Sequence, residues 1–148
     1  MSVEAAEQQT EGRCICGAVT VRVTGPMEEI WACHCDYCRR WSGGVQMGID
    51  VPPARVEITG PVKTHQSTHI AQRAWCDVCG TAIYFRNTDS ADADFELAPG
   101  LFDDFGGARL ARISYADRDT AGLAMGGEDV ERISKADYET RHDFVPDA

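Results

Sequence analysis

The sequence predicts one mainly β domain, and three observations support this prediction. Its 148 residues suffice for a compact domain with a sizeable core. Apolar residues occur in many short runs, as expected for short strands. Glycine and proline pairs separate these runs, as turns would. We expect a flexible N-terminal tail at 1–11, a single domain at 12–142 and a C-terminal tail at 143–148.

Alternation of valine with polar residues predicts the first strand, between Ala18 and Val23. Its valines would share one buried face, because side chains two residues apart on a strand point to the same side. Further short strands are predicted at 30–32, 45–49, 56–58, 83–85, 95–97 and 110–115. Helix is expected at 36–41 and, after a pattern resembling a capping box that starts at Ser134, through about Arg141.

The chain is acidic, with a formal net charge of −10 and a pI near 4.7. Such a charge repels phosphate backbones, so we do not expect binding to nucleic acid. No apolar run reaches the roughly 18 residues of a membrane span, and residues 1–11 lack the basic stretch of an export signal. We therefore expect a soluble, cytoplasmic protein that does not enter membranes.

All seven cysteines lie in three clusters, and their spacing predicts zinc sites. The clusters are Cys14-Ile-Cys16, Cys33-His-Cys35-Asp-Tyr-Cys38 and Cys76-Asp-Val-Cys79. Disulfides are the alternative interpretation of many cysteines. Three features weigh against them: the odd number, the metal-like spacings and the lack of an export signal.

Seven cysteines divide naturally into four that close a structural zinc site and three that leave a zinc open. On a strand, Cys14 and Cys16 would face one metal together, and Gly80 would allow the turn that folds Cys76 and Cys79 over it. We call Cys14, Cys16, Cys76 and Cys79 the four-cysteine site, and Cys33, Cys35 and Cys38 the three-cysteine site. The alternative, a zinc ribbon of Cys35, Cys38, Cys76 and Cys79, leaves three cysteines without a complete ligand set.

Three thiolates on one zinc give a net charge of −1, which makes the metal a weak activator of water. Such a soft site is better matched to a fourth sulfur, so a thiol cosubstrate is expected rather than hydrolysis. His34 is the nearest candidate for a closing ligand, but strand alternation turns it away from Cys33 and Cys35. Arg39 and Arg40 follow the cluster and either orient a substrate carboxylate or form a solvated part of the helix.

Three segments together resemble the glutathione-dependent formaldehyde-activating enzyme family, which also contains centromere protein V. They are Gly12-Arg-Cys-Ile-Cys-Gly-Ala-Val, Cys33-His-Cys-Asp-Tyr-Cys-Arg-Arg and Trp75-Cys-Asp-Val-Cys-Gly-Thr-Ala-Ile-Tyr, within residues 12 to 86. The resemblance implies a β-rich Mss4-like fold stapled by zinc. It also implies a carbon-sulfur lyase activity that joins formaldehyde to glutathione as S-hydroxymethylglutathione. It assigns a structural zinc to the four-cysteine site and a catalytic zinc to the three-cysteine site, two ions in all.

The later half of the chain resembles this family less closely. Leu101-Phe-Asp-Asp is similar to the family's Leu-Asp-Asp segment, but 112–115 reads Arg-Ile-Ser-Tyr where a histidine is usual. This departure affects the substrate and not the metal ligands. The alternative to an enzyme is a non-catalytic binding or chaperone-like module in which both zincs are structural. That alternative requires a fourth protein ligand at the three-cysteine site, and His34 is the nearest candidate.

Overall fold

The computed structural model describes residues 8–119 and 122–142, and this part of the chain is mainly β, which confirms the predicted fold class. The strands are β1 (Gln9–Arg13), β2 (Thr20–Thr24), β3 (Glu29–Cys33), β4 (Gln46–Val51), β5 (Val56–Thr59), β6 (Val62–Thr68), β7 (Ala71–Cys76), β8 (Ala82–Asn87), β9 (Phe95–Leu97), β10 (Arg109–Ser114) and β11 (Glu131–Ile133). The helices are α1 (Asp36–Ser42) and α2 (Lys135–Arg141). No described helix has the length and apolar character needed to cross a membrane.

The chain divides into two compact units. The first comprises Met1–Glu28 and Gly48–Arg109, and the second comprises Glu29–Met47 and Leu110–Ala148. The assignment of 12–142 to a single domain stays a prediction. Of the predicted tails, 1–7 and 143–148 lie outside the described residues. Residues 9–11 belong to β1, so the N-terminal tail boundary at 11 is wrong.

In the first unit, β2 is the central strand of a three-stranded antiparallel sheet between β1 and β5. Val19, Val21 and Val23 are at most 1% exposed, whereas Thr20 and Arg22 face solvent, as the alternation predicts. A second group of strands places β9, β8, β7 and β6 side by side, all antiparallel. β9 also pairs with the end of β4, where Ile49 lies opposite Leu97.

Sequence patterning does not predict β1, β6, β7 or β11. β6 reads Val-Lys-Thr-His-Gln-Ser-Thr, and most of its side chains are exposed or half-buried. Among the described strands it lies at the end of its sheet, next to β7. A strand in that position has little apolar surface to bury, so it lacks the hydrophobic alternation that reveals a strand in a sequence.

In the second unit, β10 lies between β11 and β3 and runs parallel to β11. Ala32 of β3 and Ile113 of β10 are fully buried in the same apolar cluster. Both predicted helices are present. Ser134 caps α2 by accepting a hydrogen bond from the Asp137 amide at 3.1 Å, and Gly43 ends α1 with φ of 84°.

Candidate metal centres

Four sulfur atoms converge in the first unit. The Sγ atoms of the four-cysteine site lie within 4.8 Å of one another. Cys16 Sγ is 3.6 Å from Cys14 Sγ and 3.8 Å from Cys76 Sγ. Bonded sulfurs would be about 2.05 Å apart, whereas a tetrahedral zinc with Zn–S bonds of about 2.3 Å separates its sulfurs by about 3.8 Å. The spacing therefore fits four ligands around one zinc ion, and all seven cysteines are free thiols.

Two tight turns present these four sulfurs. Cys14 follows the end of β1 and its neighbours form a turn, so the prediction that Cys14 and Cys16 lie on a strand is wrong. The Gly17 amide donates to the Cys14 carbonyl at 3.2 Å, and the Gly80 amide donates to the Cys76 carbonyl at 2.9 Å. Both glycines have φ of 80°, a conformation that glycine adopts without steric cost. The two turns are thus alike, and the predicted role of Gly80 is confirmed.

Thr81 connects the two turns through its hydroxyl group. This Oγ1 accepts a hydrogen bond from the Ile15 amide at 3.1 Å and lies 3.1 Å from Cys79 Sγ. The hydrogen bond with Thr81 is the main reason why the pKa of Cys79 falls to about 5. Sequence reasoning missed Thr81, whose only signal is its place directly after the Cys-Gly turn.

Three further sulfurs meet in the second unit, where β3 leads into α1. Cys33 ends β3, Cys35 is the N-cap of α1, and Cys38 lies in its first turn. Their Sγ atoms also lie within 4.8 Å of one another. The Cys35 and Cys38 amides approach the sulfurs of Cys33 and Cys35 at 3.5 and 3.4 Å. Among the described residues no histidine or carboxylate joins this cluster, so it offers three ligands to a metal that takes four.

One thiol in each cluster, Cys16 and Cys33, resists ionising in the absence of a cation. Hydrogen bonds with Cys35 and Cys38, followed by burial, raise the pKa of Cys33 well above its ordinary value. The Ala18 amide lowers the pKa of Cys16, but burial and the neighbouring thiols outweigh it and raise that pKa to about 11. A bound dication favours the thiolate form and reverses this balance. The all-sulfur donor sets are those that zinc accepts.

His34 does not belong to the sulfur cluster. It is 4% exposed, and its Nε2 atom lies 2.9 Å from Asp119 Oδ1. The other oxygen of Asp119 receives Arg132 Nη2 at 2.8 Å. Burial raises the pKa of Asp119, but the hydrogen bond from Arg132 and the nearby His34 outweigh it and bring that pKa below its ordinary value. His34 is therefore a packed histidine in contact with Asp119, as strand alternation predicts.

Aromatic side chains form a wall of the three-cysteine site. Trp31 and Tyr115 are buried in one cluster with Cys33 and Cys38. The Tyr138 ring packs against this cluster, with its centroid 5.1 Å from that of Tyr115. Burial raises the pKa of Tyr115 far above its ordinary range. Sequence reasoning missed Tyr115, which follows the end of β10 with φ of 55° and so lies outside the alternation of that strand.

The arginines predicted to hold a substrate carboxylate lie on the exposed part of α1. Arg39 is 52% exposed, and its Nη2 atom lies 3.2 Å from Asp36 Oδ1. Arg40 is also exposed. A third arginine, Arg118, places Nη1 at 2.9 Å from the same Asp36 oxygen and was missed by sequence reasoning because it is distant in the chain. A substrate contact by Arg39 or Arg40 stays a prediction.

Comparison with known families agrees with the arrangement of the cysteines. The sequence model of the family described as glutathione-dependent formaldehyde-activating enzyme matches residues 9–116. The chain belongs to this family. The matched region contains the four-cysteine and three-cysteine sites and extends through Tyr115, so the departure at 112–115 lies within it.

Two known proteins are similar to this member of the glutathione-dependent formaldehyde-activating enzyme family. An uncharacterised lyase of Schizosaccharomyces pombe is 29% identical over 86 residues, which are 57% of this chain. The match spans 63% of that relative's length, less than two thirds. The crystal structure of a Rhodobacter sphaeroides protein is similar in fold, with a TM-score of 0.53 at 17% identity, over 68% of this chain and 98% of the other.

Proposed function

We propose that this chain is a zinc-dependent carbon-sulfur lyase that joins a thiol such as glutathione to a small aldehyde such as formaldehyde. The activity would be of the S-(hydroxymethyl)glutathione synthase type. One observation carries the proposal: the three-cysteine site brings three sulfurs together, and no described residue supplies a fourth ligand. Membership of the glutathione-dependent formaldehyde-activating enzyme family supports the substrate class.

The donor set favours thiol chemistry over hydrolysis. A zinc ion held by Cys33, Cys35 and Cys38 would carry a net charge of −1 and would keep an added thiol in its thiolate form, which is the nucleophilic one. Trp31 and Tyr115 would limit the access of water, since both are buried against these cysteines. A drier site strengthens the electrostatic interactions of the bound thiolate.

The proposed reaction is balanced without a redox partner. The thiolate sulfur attacks the aldehyde carbon and forms the new carbon-sulfur bond, while the π electrons of the carbonyl group move to oxygen. That oxygen then takes up a proton equivalent to the one that the thiol released. The product is an S-hydroxyalkyl thiol adduct, and the reverse reaction is the cleavage for which a lyase is named.

The four-cysteine site has a different proposed role. Its four sulfurs satisfy a tetrahedral zinc completely, so a zinc bound there would be structural. Cys16 and Cys76 are 60 residues apart, and a shared metal would tie the start of the first unit to its middle. We also infer a cytoplasmic location, because reducing compartments keep such thiols available to metals.

A non-catalytic binding or chaperone-like module is the alternative. It requires a protein ligand that closes the three-cysteine site, and His34 is the nearest residue by sequence. The imidazole of His34 lies instead against Asp119, with Nε2 at 2.9 Å from Oδ1. This contact favours the enzyme.

Cobalt substitution tests the proposed function. The full chain loaded with Co²⁺ is expected to bind two ions per protein and to change its visible absorption when glutathione is added. Cys35→Ser is expected to lose one ion and the response to glutathione while remaining folded. Turnover of formaldehyde with glutathione would then be measured on the zinc form. Two ions with no response to any thiol would favour the binding module.

A further inference from the structure

Two guanidinium groups meet one carboxylate directly beside the three-cysteine site. Asp36 is the first residue of α1 and follows Cys35 in the chain. Its Oδ1 atom lies 2.9 Å from Arg118 Nη1 and 3.2 Å from Arg39 Nη2. The side chain of Asp36 is 24% exposed, which partly protects both ion pairs from solvent. The carboxylate thus fixes two arginines next to the start of the helix that carries the cysteines.

Tyr115 links Arg118 to the sulfurs. The Tyr115 side chain is buried in the cluster that contains Cys33 and Cys38. The guanidinium carbon of Arg118 lies over the same ring, 5.5 Å from its centroid. Arg118 therefore contacts a ring that belongs to the same buried cluster as Cys33 and Cys38.

Charge gives this arrangement a preference among thiols. Arg118, Arg39 and Asp36 together sum to +1 (+1 +1 −1), in a chain whose formal net charge is −10. Guanidinium groups match carboxylates in shape and bind them through two parallel hydrogen bonds. A carboxylate on the thiol substrate would find two guanidinium donors here that Asp36 neutralises only in part, beside a zinc site of net charge −1 and in a protein that as a whole repels anions.

Resting on the proposed function, we propose that Arg118, held in place by Asp36 and assisted by Arg39, binds a carboxylate of the thiol substrate. The three-cysteine site then selects acidic thiols over neutral thiols of the same size. Arg118 is a specificity-determining residue in this proposal, and it replaces Arg40 as the partner of Arg39. Glutathione has carboxylates and belongs to the selected class.

A pair of matched thiols tests this selection on the cobalt form of the full chain. The probes are 3-mercaptopropionate and its methyl ester, which differ in the charge of the carboxyl group. Absorption titrations are expected to show about tenfold tighter binding of the acid, as one charged hydrogen-bond contact of about 1.5 kcal/mol provides. Arg118→Gln should lose this preference, because it weakens binding of the acid more than binding of the ester. Arg118→Lys should keep part of it, since the charge remains.

Controls separate this proposal from the proposed function. Arg22→Gln removes an exposed arginine that pairs with Glu11 at 3.0 Å in the other unit, and it should leave the preference intact. Equal binding of acid and ester by the unsubstituted protein would overturn the selection and leave the thiol-binding function standing. Binding of neither probe would overturn the function itself. If Arg118→Gln does not fold, Arg39→Gln and Arg118→Lys carry the test, and an unchanged preference in both would refute it.

Discussion

Two Cys-x-Cys pairs in this chain allow a matched test of what each metal site does for stability. Cys14 and Cys33 are both buried, at 2% and 6% exposure, and each precedes a more exposed cysteine two residues later. The double variants Cys14→Ser/Cys16→Ser and Cys33→Ser/Cys35→Ser therefore remove nearly the same side chains. What differs is the length of chain that a bound metal would close.

The expected loss of stability in each double variant follows from the length of the loop that a bound metal would close. The four-cysteine site joins residues 60 apart, and closing a loop of that length restricts the unfolded chain by about 4 kcal/mol at 25 °C. The three-cysteine site closes a loop of roughly six residues, for which the same relation gives about 2 kcal/mol. We expect the first double variant to be less stable than the second by about 2 kcal/mol. This difference is a large fraction of a total stability of about 5–15 kcal/mol.

Urea unfolding of the zinc-loaded proteins, monitored by far-ultraviolet circular dichroism, measures this difference in the free energy of unfolding. The same comparison after removal of zinc with a chelator is the control, because the variants should then differ little from each other. An equal loss in both double variants would refute the loop argument. A larger loss for Cys33→Ser/Cys35→Ser would refute it as well and would assign the main structural role to the three-cysteine site.

Three further predictions concern the space around two glycines, the contact between His34 and Asp119, and the release of metal by acid. Gly60 has φ of 115°, and a Cβ there would lie 2.1 Å from a backbone oxygen, so Gly60→Ala should cost more than about 3 kcal/mol in urea unfolding. Gly43→Ala, which meets nothing within 4 Å, should cost only about 1–2 kcal/mol. Asp119→Ala leaves a buried imidazole without its carboxylate and should lower stability by about 1–3 kcal/mol, whereas Asp119→Asn should recover part of this in the same assay. Acid should release metal from the three-cysteine site at a higher pH than from the four-cysteine site. The four-cysteine site offsets the raised pKa of Cys16 with the lowered pKa values of Cys14 and Cys79, whereas the pKa of Cys33 is raised well above its ordinary value, so protons displace a metal from Cys33 first as pH falls. A chromogenic chelator added during stepwise acidification would show the two releases in order, and simultaneous release or the opposite order would contradict the prediction.

Cysteine spacing predicted the composition of both sulfur clusters, because ligand geometry restricts which residues can share a metal. The backbone that presents them was predicted less well. Cys14 and Cys16 lie in a turn and not on a strand, and Gly17 was the available signal, since it occupies the place that Gly80 has in the second turn. Both a strand and this turn bring the two sulfurs to one side, so the predicted grouping of ligands is correct although the predicted secondary structure is not.

Residues around the three-cysteine site were beyond the reach of sequence patterns. Asp119, Arg132 and Arg118 come from a segment about 80 residues or more after the cysteines, and their contacts with His34 and Asp36 depend on tertiary folding. Such polar residues have no periodicity that distinguishes them from a solvated loop. Tyr115 follows the end of its strand with φ of 55°, so strand alternation does not place it either. The family resemblance drew attention to that segment only because a histidine is usual there.

The two Cys-x-Cys pairs show how local sequence leads to different sites from the same spacing. After Cys16, a glycine with φ of 80° reverses the chain, so the pair ends at a turn and its sulfurs are completed by Cys76 and Cys79 from a distant turn. After Cys35, Asp36 begins a helix, and the first helical turn brings Cys38 back to the same sulfurs within a few residues. A site completed locally needs no second segment to form, and no described residue provides its fourth ligand. The same helix start supplies the carboxylate of Asp36, which follows Cys35 in the chain and contacts Arg39 and Arg118. The local choice between turn and helix therefore determines which site would staple the fold and which would remain available to a substrate.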